Sequence, residues 1–367
     1  MYELKTGEYD ALRPLFQALD YHLAVNGILE GSVPARLFVD YPTHPQAAFA
    51  WAKHRLFLEG SPDNDEFNKA IRRLITETIY PQAREAGEVM FVLYYDPDRW
   101  EDKIPEILKD KHPIKTQRQY YTFKKLNYDW RTLLPEGFTV HLVDEALLED
   151  KHLKNLDDLT EEMCSERPSV QDFLDRSFGV CVLHGDEIVG WCLSEYNWAN
   201  RCEVGIETVR PYQKRGLGTL MASAMIEYAL SKGINQIGWH CYANNQASVA
   251  TALKIGFEKA RDYPVYFAWF NEIDNLAVNG NVCLEERRYR EAMEWFKKAI
   301  ATGDAKDWAY WGAACASACL GQRKAAFGYL NQAIEKGFTH PEYIKSAEPL
   351  KSLHGTEEWE SIIRKLE

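Results

Sequence analysis

Residues 202–218 read Cys-Glu-Val-Gly-Ile-Glu-Thr-Val-Arg-Pro-Tyr-Gln-Lys-Arg-Gly-Leu-Gly, and no other stretch constrains the fold of this 367-residue chain as tightly. A β-rich run ends at Val209. A short basic turn follows, Gln213-Lys214-Arg215-Gly216-Leu217-Gly218, and an apolar helix is predicted from about Leu217 to Ser231. A strand that turns through glycines directly into a helix is a unit of α/β architecture. It is also an anion site: the first N–H groups of the helix have no acceptor within the helix, and its dipole adds partial positive charge there. Gly216 and Gly218 let a phosphate approach the backbone closely, and Lys214 and Arg215 add full charges.

The P-loop pattern is absent, and the dinucleotide pattern G-x-G-x-x-G fails because its third glycine falls on Met221. The spacing Q-x-x-G-x-G after a strand, closed by Val209-Arg210-Pro211, instead resembles the acetyl-coenzyme A pyrophosphate loop of the GNAT N-acetyltransferases. Its neighbours agree over about 60 residues: a second strand at Gln236-Ile237-Gly238-Trp239-His240-Cys241, then Asn244-Asn245-Gln246-Ala247-Ser248 opening a helix that ends at Lys254-Ile255-Gly256-Phe257. Together with Ile206-Glu207-Thr208, these segments look like the bacterial GNAT subfamily related to the zwittermicin A resistance protein, whose members join a degenerate GNAT-like half to a catalytic one.

The resemblance implies acyl transfer from acetyl-coenzyme A to an amine. Backbone N–H groups of about Arg215 to Leu220, hence Gly216, Leu217, Gly218 and Thr219, would cradle the pyrophosphate beside Gln213 and Lys214. The strand end from Ile206 to Val209 would line the pantetheine arm by backbone pairing. The second strand would splay away after Trp239 to open a slot for the thioester. Asn245 would bond the pantetheine, although asparagine is also a preferred helix N-cap, and the two roles are compatible. For the base, Glu203 and Glu207 alternate onto one strand face; Glu207 is the first candidate, Glu203 the second and His240 a third, each with a salt bridge or surface position as its plain alternative. Many members place a tyrosine acid seven residues after the asparagine, where this chain has Ala252. The thiolate proton must then come from Tyr242, Tyr263, Cys241 or water, and a weak or inactive enzyme stays open.

Three segments are expected: 1–135, a degenerate GNAT-like α+β half; 136–270, the catalytic half; and 271–367, all helical. In the first, Ala35 to Tyr41, Ala50 to Lys53 with Leu56 to Leu58, and Val89 to Tyr95 read as strands. Asp65 to Ala86 reads as a helix and Gln119 to Phe123 as a hairpin edge, with Tyr120 and Tyr121 in core or interface roles. Leu134-Pro135-Glu136-Gly137 is the turn between the halves. In the last segment Ala292, Phe296 and Ala299 recur 34 residues later as Ala326, Leu330 and Ala333, and Gly280 as Ala314. That is the tetratricopeptide (TPR) period and its small–large–small code, with a plain helical bundle as the alternative. Such a region would bind a peptide, self-associate or cap the fold.

Net charge is −12, which argues against a nucleic-acid partner. The acidity concentrates in residues 144–176, where eleven acids face the four bases Lys151, Lys154, Arg167 and Arg176. In a GNAT protein that segment flanks the acceptor pocket, where a negative rim would attract a protonated amine, with a solvated helix face as the plain alternative. The eight cysteines show no metal-type spacing, so no metal is expected and the thiols should be reduced. No apolar run is long enough to span a membrane and the first residues lack a signal-peptide core, so a cytoplasmic protein is expected. Three functions remain in play: acetylation of a small amine, acetylation of a protein or peptide amine selected by the repeats, and a non-catalytic scaffold.

Overall fold

The structure, a computed structural model, describes residues 1–366. Its strands are β1 (Tyr2–Glu3), β2 (Arg36–Val39), β3 (Ala47–Ala52), β4 (Arg55–Gly60), β5 (Met90–Tyr95), β6 (Ile114–Phe123), β7 (Phe138–Leu142), β8 (Gly179–His184), β9 (Glu187–Trp198), β10 (Arg201–Thr208), β11 (Gln236–Tyr242) and β12 (Phe257–Trp269). The helices used below are α1 (Leu23–Glu30), α2 (Asp65–Leu74), α3 (Tyr80–Glu85), α4 (Leu156–Met163), α5 (Val170–Arg176), α6 (Leu217–Ser231), α7 (Gln246–Ile255), α8 (Glu272–Glu285), α9 (Tyr289–Ala301), α10 (Asp307–Cys319), α11 (Arg323–Glu335) and α12 (Glu357–Leu366).

All strands join one mixed sheet in the order β1-β2-β3-β4-β5-β12-β6-β11-β10-β9-β8-β7. Two compact units emerge from the packing: Met1–Ile71, Leu93–Ile104 and Lys115–Tyr266 form the first, while Arg72–Val92, Pro105–Ile114 and the residues from Phe267 on form the second. The turn at 134–137 therefore lies inside the first unit. Gln119 to Phe123 is not a hairpin edge: β6 lies between β12 and β11, with Tyr120 opposite His240 and Tyr121 opposite Trp239. The polar residues of Gln-Tyr-Tyr-Thr-Phe fit a central strand because they find partners there, Gln119 bonding both Asp262 and the Tyr121 hydroxyl. The helix read over 65–86 is interrupted by one wide turn, Ile75–Ile79, before α3.

In the first unit, α6 buries nearly its whole circumference. Leu217, Leu220, Met221, Met225 and Ile226 pack with Cys202, Val204, Ile237, Trp239 and Cys241 from β10 and β11. This explains its continuous apolar sequence. The opposite face of β9 and β10 is covered by α1 and, over β9, by α4. Alternation along β10 thus sends Cys202 and Val204 toward α6 and leaves Glu203, Gly205 and Glu207 on the other face. All eight cysteines are unpaired thiols, and only Cys164 and Cys319 are half-buried rather than buried. Among the described residues no helix is long and apolar enough to cross a membrane.

In the second unit, α8 with α9 and α10 with α11 form successive antiparallel hairpins. Ala292, Phe296 and Ala299 are buried, as are Ala326, Leu330 and Ala333. The Phe296 ring fills the space left by Gly280, where an added Cβ would lie 2.7 Å from ring carbon Cε1. Gly280→Ala should destabilise the protein by about 1–3 kcal/mol, the usual cost of overpacking, with the urea midpoint as the readout.

Candidate active site

The turn before α6 adopts an anion-binding geometry. Lys214 and Gly216 both have positive φ, 62° and 84°. Gly216 is the N-cap of α6 and offers no side chain to the first N–H groups of the helix. The N–H groups of Leu217, Gly218 and Thr219 therefore await an external acceptor. Gln213 steadies the turn by donating from Nε2 to the Thr208 carbonyl, 3.0 Å away, and the Arg215 guanidinium lies 5.3 Å over the Tyr212 ring.

Next to the turn, the sheet opens. β10 and β11 pair in parallel only from Arg201–Gln236 to Val204–Trp239, and beyond that the two strands no longer bond each other. The resulting cleft has a volume of about 510 Å³. Ile206, Glu207 and Thr208 line one wall, Gln213, Lys214, Gly216, Leu217, Gly218 and Thr219 the base, and Trp239, Asn245, Ser248 and Thr251 the other wall. Arg215 and Val209 are not among its lining residues. Both backbone groups of Val209 are engaged, its N–H with the Val189 carbonyl at 2.9 Å and its carbonyl with the Tyr212 N–H at 2.8 Å. Asn245 caps α7, accepting the Ser248 N–H on Oδ1 at 3.1 Å, and its side-chain amide stays exposed at the cleft.

The three base candidates separate sharply. Glu207 is exposed and lines the cleft. Glu203 is buried, and its Oε1 accepts the Leu23 N–H at 2.6 Å, so it caps the first turn of α1 from across the sheet. His240 lies under Tyr120 and His22, with ring centroids 4.6 and 4.8 Å away; its Nδ1 bonds the Tyr263 hydroxyl at 2.8 Å and its Nε2 lies 3.3 Å from Glu203. Burial lowers the pKa of His240 against the pull of Glu203, and burial with the neighbouring His240 lowers that of His22 further. Both rings are neutral near pH 7.

Several site residues were not singled out in the sequence. A bulge between Glu203 and Val204 leaves Glu195 as the extra residue of β9, and its carboxylate folds over Gly205, where a Cβ would meet Oε1 at 2.4 Å. Burial, with Glu166 nearby, raises the Glu195 pKa to about 7. Glu162, from the acidic segment on α4, is raised by burial and by the charge of Glu207. Glu166 from the same segment binds the Arg55 guanidinium through both oxygens, with Nε 3.1 Å from Oε2, and accepts the Tyr196 hydroxyl. These residues come from β4, α4, the loop before α5, β9 and β10, so no local pattern joins them.

His22, Glu203 and His240 are the one group among the described residues with metal-ligand chemistry, their ligand atoms lying within 4.8 Å of one another. The Leu23 N–H takes only Oε1 of that carboxylate, His22 Nε2 and His240 Nε2 are buried without hydrogen-bond partners, and the Arg118 and Arg55 charges bear on His22. Ala252 is fully buried against α6 and does not reach the cleft. Cys241 is buried with its pKa raised, and the Tyr263 hydroxyl is held by His240.

Comparison with known proteins agrees with this geometry. The family described as GNAT acetyltransferase matches residues 13–266. An uncharacterized N-acetyltransferase of Bacillus subtilis (strain 168), YdfB, is 27% identical over 267 residues, 72% of this chain and 98% of its own. The crystal structure of a GCN5-related N-acetyltransferase-like protein from Streptococcus suis 89/1591 superposes with a TM-score of 0.54 at 24% identity, covering 72% of this chain and 100% of its own.

Proposed function

Because the chain belongs to the GNAT acetyltransferase family and is an N-acetyltransferase, we propose that it moves the acetyl group of acetyl-coenzyme A to the primary amine of a small molecule, with Glu207 as the base. The observation that carries this reading is the position of Glu207: an exposed carboxylate on the wall of a cleft whose base is an uncapped helix N-terminus. The N–H groups at 216–219 and Lys214 take the pyrophosphate. The free edge of β10 from Gly205 to Thr208 and the amide of Asn245 hold the pantetheine arm, which runs into the gap beyond Val204 and Trp239. Val209 contributes by anchoring the strand end and Arg215 by its charge.

Glu207 and Glu162 make the acceptor side negative and draw in an ammonium group. Glu207, directly or through water, takes one proton. The neutral amine attacks the thioester carbonyl, the C–N bond forms as the C–S bond breaks, the nitrogen releases its surplus proton to water, and the thiolate leaves with a proton from water or from Tyr242, the half-buried tyrosine at the splayed end of β11. Holding both reactants in one cleft removes much of the entropic barrier.

The segment 1–135 serves as the degenerate half, since the nucleotide loop and Glu207 both lie outside it. The helices from α8 to α11 are read as two TPR-like repeats with α12 closing them, supported by the buried small–large–small positions. Eight unpaired thiols suit a cytoplasmic location.

The test is calorimetry with coenzyme A, followed by free-thiol release over a panel of amines. Wild type should bind, and Gly216→Val should bind at least about tenfold more weakly, because valine is strained at positive φ and its side chain would stand where the phosphate approaches. Equal binding by a folded Gly216→Val protein would refute the cofactor site.

A further inference from the structure

The charges on the acceptor face do not balance. Arg55 and Arg118 both donate to the Tyr94 hydroxyl, at 3.0 and 3.2 Å. Arg55 is neutralised by Glu166, and Glu195 lies 3.8 Å from the same guanidinium. Arg118 has no carboxylate partner among the described residues. Its guanidinium rests over Tyr242 at 4.7 Å and Tyr94 at 5.9 Å, and its Nε–H is buried without a hydrogen-bond acceptor. The residue as a whole is half-buried. An unpaired buried charge is costly to a protein, and a buried donor left unsatisfied calls for an explanation such as an absent ligand.

Arg118 does not belong to the coenzyme cleft. On β6 it sits opposite Tyr242, with Tyr120 two residues on and opposite His240. Tyr121, of the opposite parity, points into the core shared with Trp239 and α6. Arg118 therefore shares the face of His240 and Tyr242, across β11 from Glu207. One end of this face is acidic, through Glu207 and Glu162, and the other holds one uncompensated cation.

We propose that Arg118 is the anchor for a carboxylate on the acceptor, so that the amine substrates of this enzyme are amino acids or amino-acyl compounds whose amine lies well away from the carboxylate. The inference rests on the acetyltransferase reading above. One free guanidinium matches a monoanion, and the carboxylates around Glu207 oppose a phosphate dianion. Glu207 and Arg118 are separated by more than one strand spacing of about 4.8 Å, which favours an ω-amine over an α-amine. The half-buried Tyr242 ring, 4.7 Å under the guanidinium, supplies an apolar wall beside the cation. The planar fork of arginine suits a carboxylate.

The test compares ω-amino acids from β-alanine to 8-aminooctanoate with their carboxamides, which keep the amine and lose the charge. Each is titrated into the coenzyme A complex by calorimetry, then offered with acetyl-coenzyme A for thiol release. At the matching length the acid should bind roughly tenfold to a hundredfold more tightly than its amide, the worth of one charge-assisted pair. Arg118→Gln should abolish that preference while melting at or above the wild-type temperature, since it removes an unpaired charge; Arg118→Lys should retain part of it. Equal binding of acid and amide at every length, no binding of either, or a preference that survives in Arg118→Gln would overturn the proposal. Preferential binding without thiol release would keep the anion subsite and refute the acetyl-transfer reading. Thiol release from acids and amides alike would do the reverse.

Discussion

Glu207→Gln should lower kcat at pH 7 by about 10²- to 10⁴-fold, the usual worth of a general base, while leaving coenzyme A binding intact. Glutamine keeps the shape and the hydrogen-bonding oxygen but takes no proton. The acceptor then arrives as an ammonium ion, and only its small neutral fraction reacts. That fraction rises with pH, so the defect should shrink toward alkaline pH and the variant's rate should keep climbing where the wild type levels off. Glu203→Gln is the control: its oxygen can still accept the Leu23 N–H at 2.6 Å, so α1 stays capped and kcat should change little. If the two variants exchange these behaviours, Glu203 is the base. If neither loses activity, the proton goes to solvent or to His240, whose Nδ1 is already bound to Tyr263.

That separation of Glu203 from Glu207 could not be read from the strand alone. Alternation correctly puts both on one face, and the basic glycine turn, α6, β11 and α7 are all written in residues close together in sequence. The fate of each carboxylate is decided by distant parts of the chain. Leu23 meets Glu203 across 180 residues of sequence, and β6 enters the sheet between β12 and β11. The bulge at Glu195 is a register event between β9 and β10, without a turn residue to announce it. The acid segment 144–176 was legible as charge but not as partners: its Glu166 is an ion-pair residue and its Glu162 faces Glu207. Arg118 had one available signal, a lone arginine two residues before Tyr120 in a strand otherwise read for its aromatics. The buried helical code at 292–299 and 326–333 was visible because it repeats at fixed spacing.

Glu166→Ala should destabilise the protein by up to about 3–5 kcal/mol, the cost of splitting a buried pair, reduced by whatever Glu195 recovers as a substitute partner for Arg55. The side chains of Arg55 and Glu166 are only 13% and 10% exposed, and the loss would leave two guanidiniums, Arg55 and Arg118, sharing one phenol oxygen on Tyr94. The same pair joins the tip of the β3–β4 hairpin to residues 164–167, where Lys53 also donates to the carbonyls of Cys164 at 2.7 Å and Ser165 at 3.1 Å. A double change, Arg55→Met with Glu166→Leu, should recover most of the stability, because replacing a buried pair is far cheaper than splitting it. The pH dependence carries a second check. Burial raises the Glu166 carboxyl, but the Arg55 charge outweighs it and holds the folded-state pKa low. Its stabilisation is therefore present above the ordinary carboxylate range and lost as pH falls through the folded value, a loss that Glu166→Gln should remove. Glu195 runs the other way. With its pKa raised to about 7, the folded state holds a proton that the unfolded state releases, so the Glu195 contribution to stability should decline as pH rises from about 4.5 to 7. In Glu166→Gln the repelling charge is gone and Arg55 is free, so Glu195, 3.8 Å away, should ionise at lower pH and take over as its partner. His22, His54 and His240, whose pKa values burial lowers, add stability as pH rises toward 6.5 in both proteins, so the readout is the difference: between pH 5 and 7 the urea midpoint of Glu166→Gln should gain on that of the wild type. Parallel pH profiles in the two proteins would show that Glu195 does not respond to Arg55.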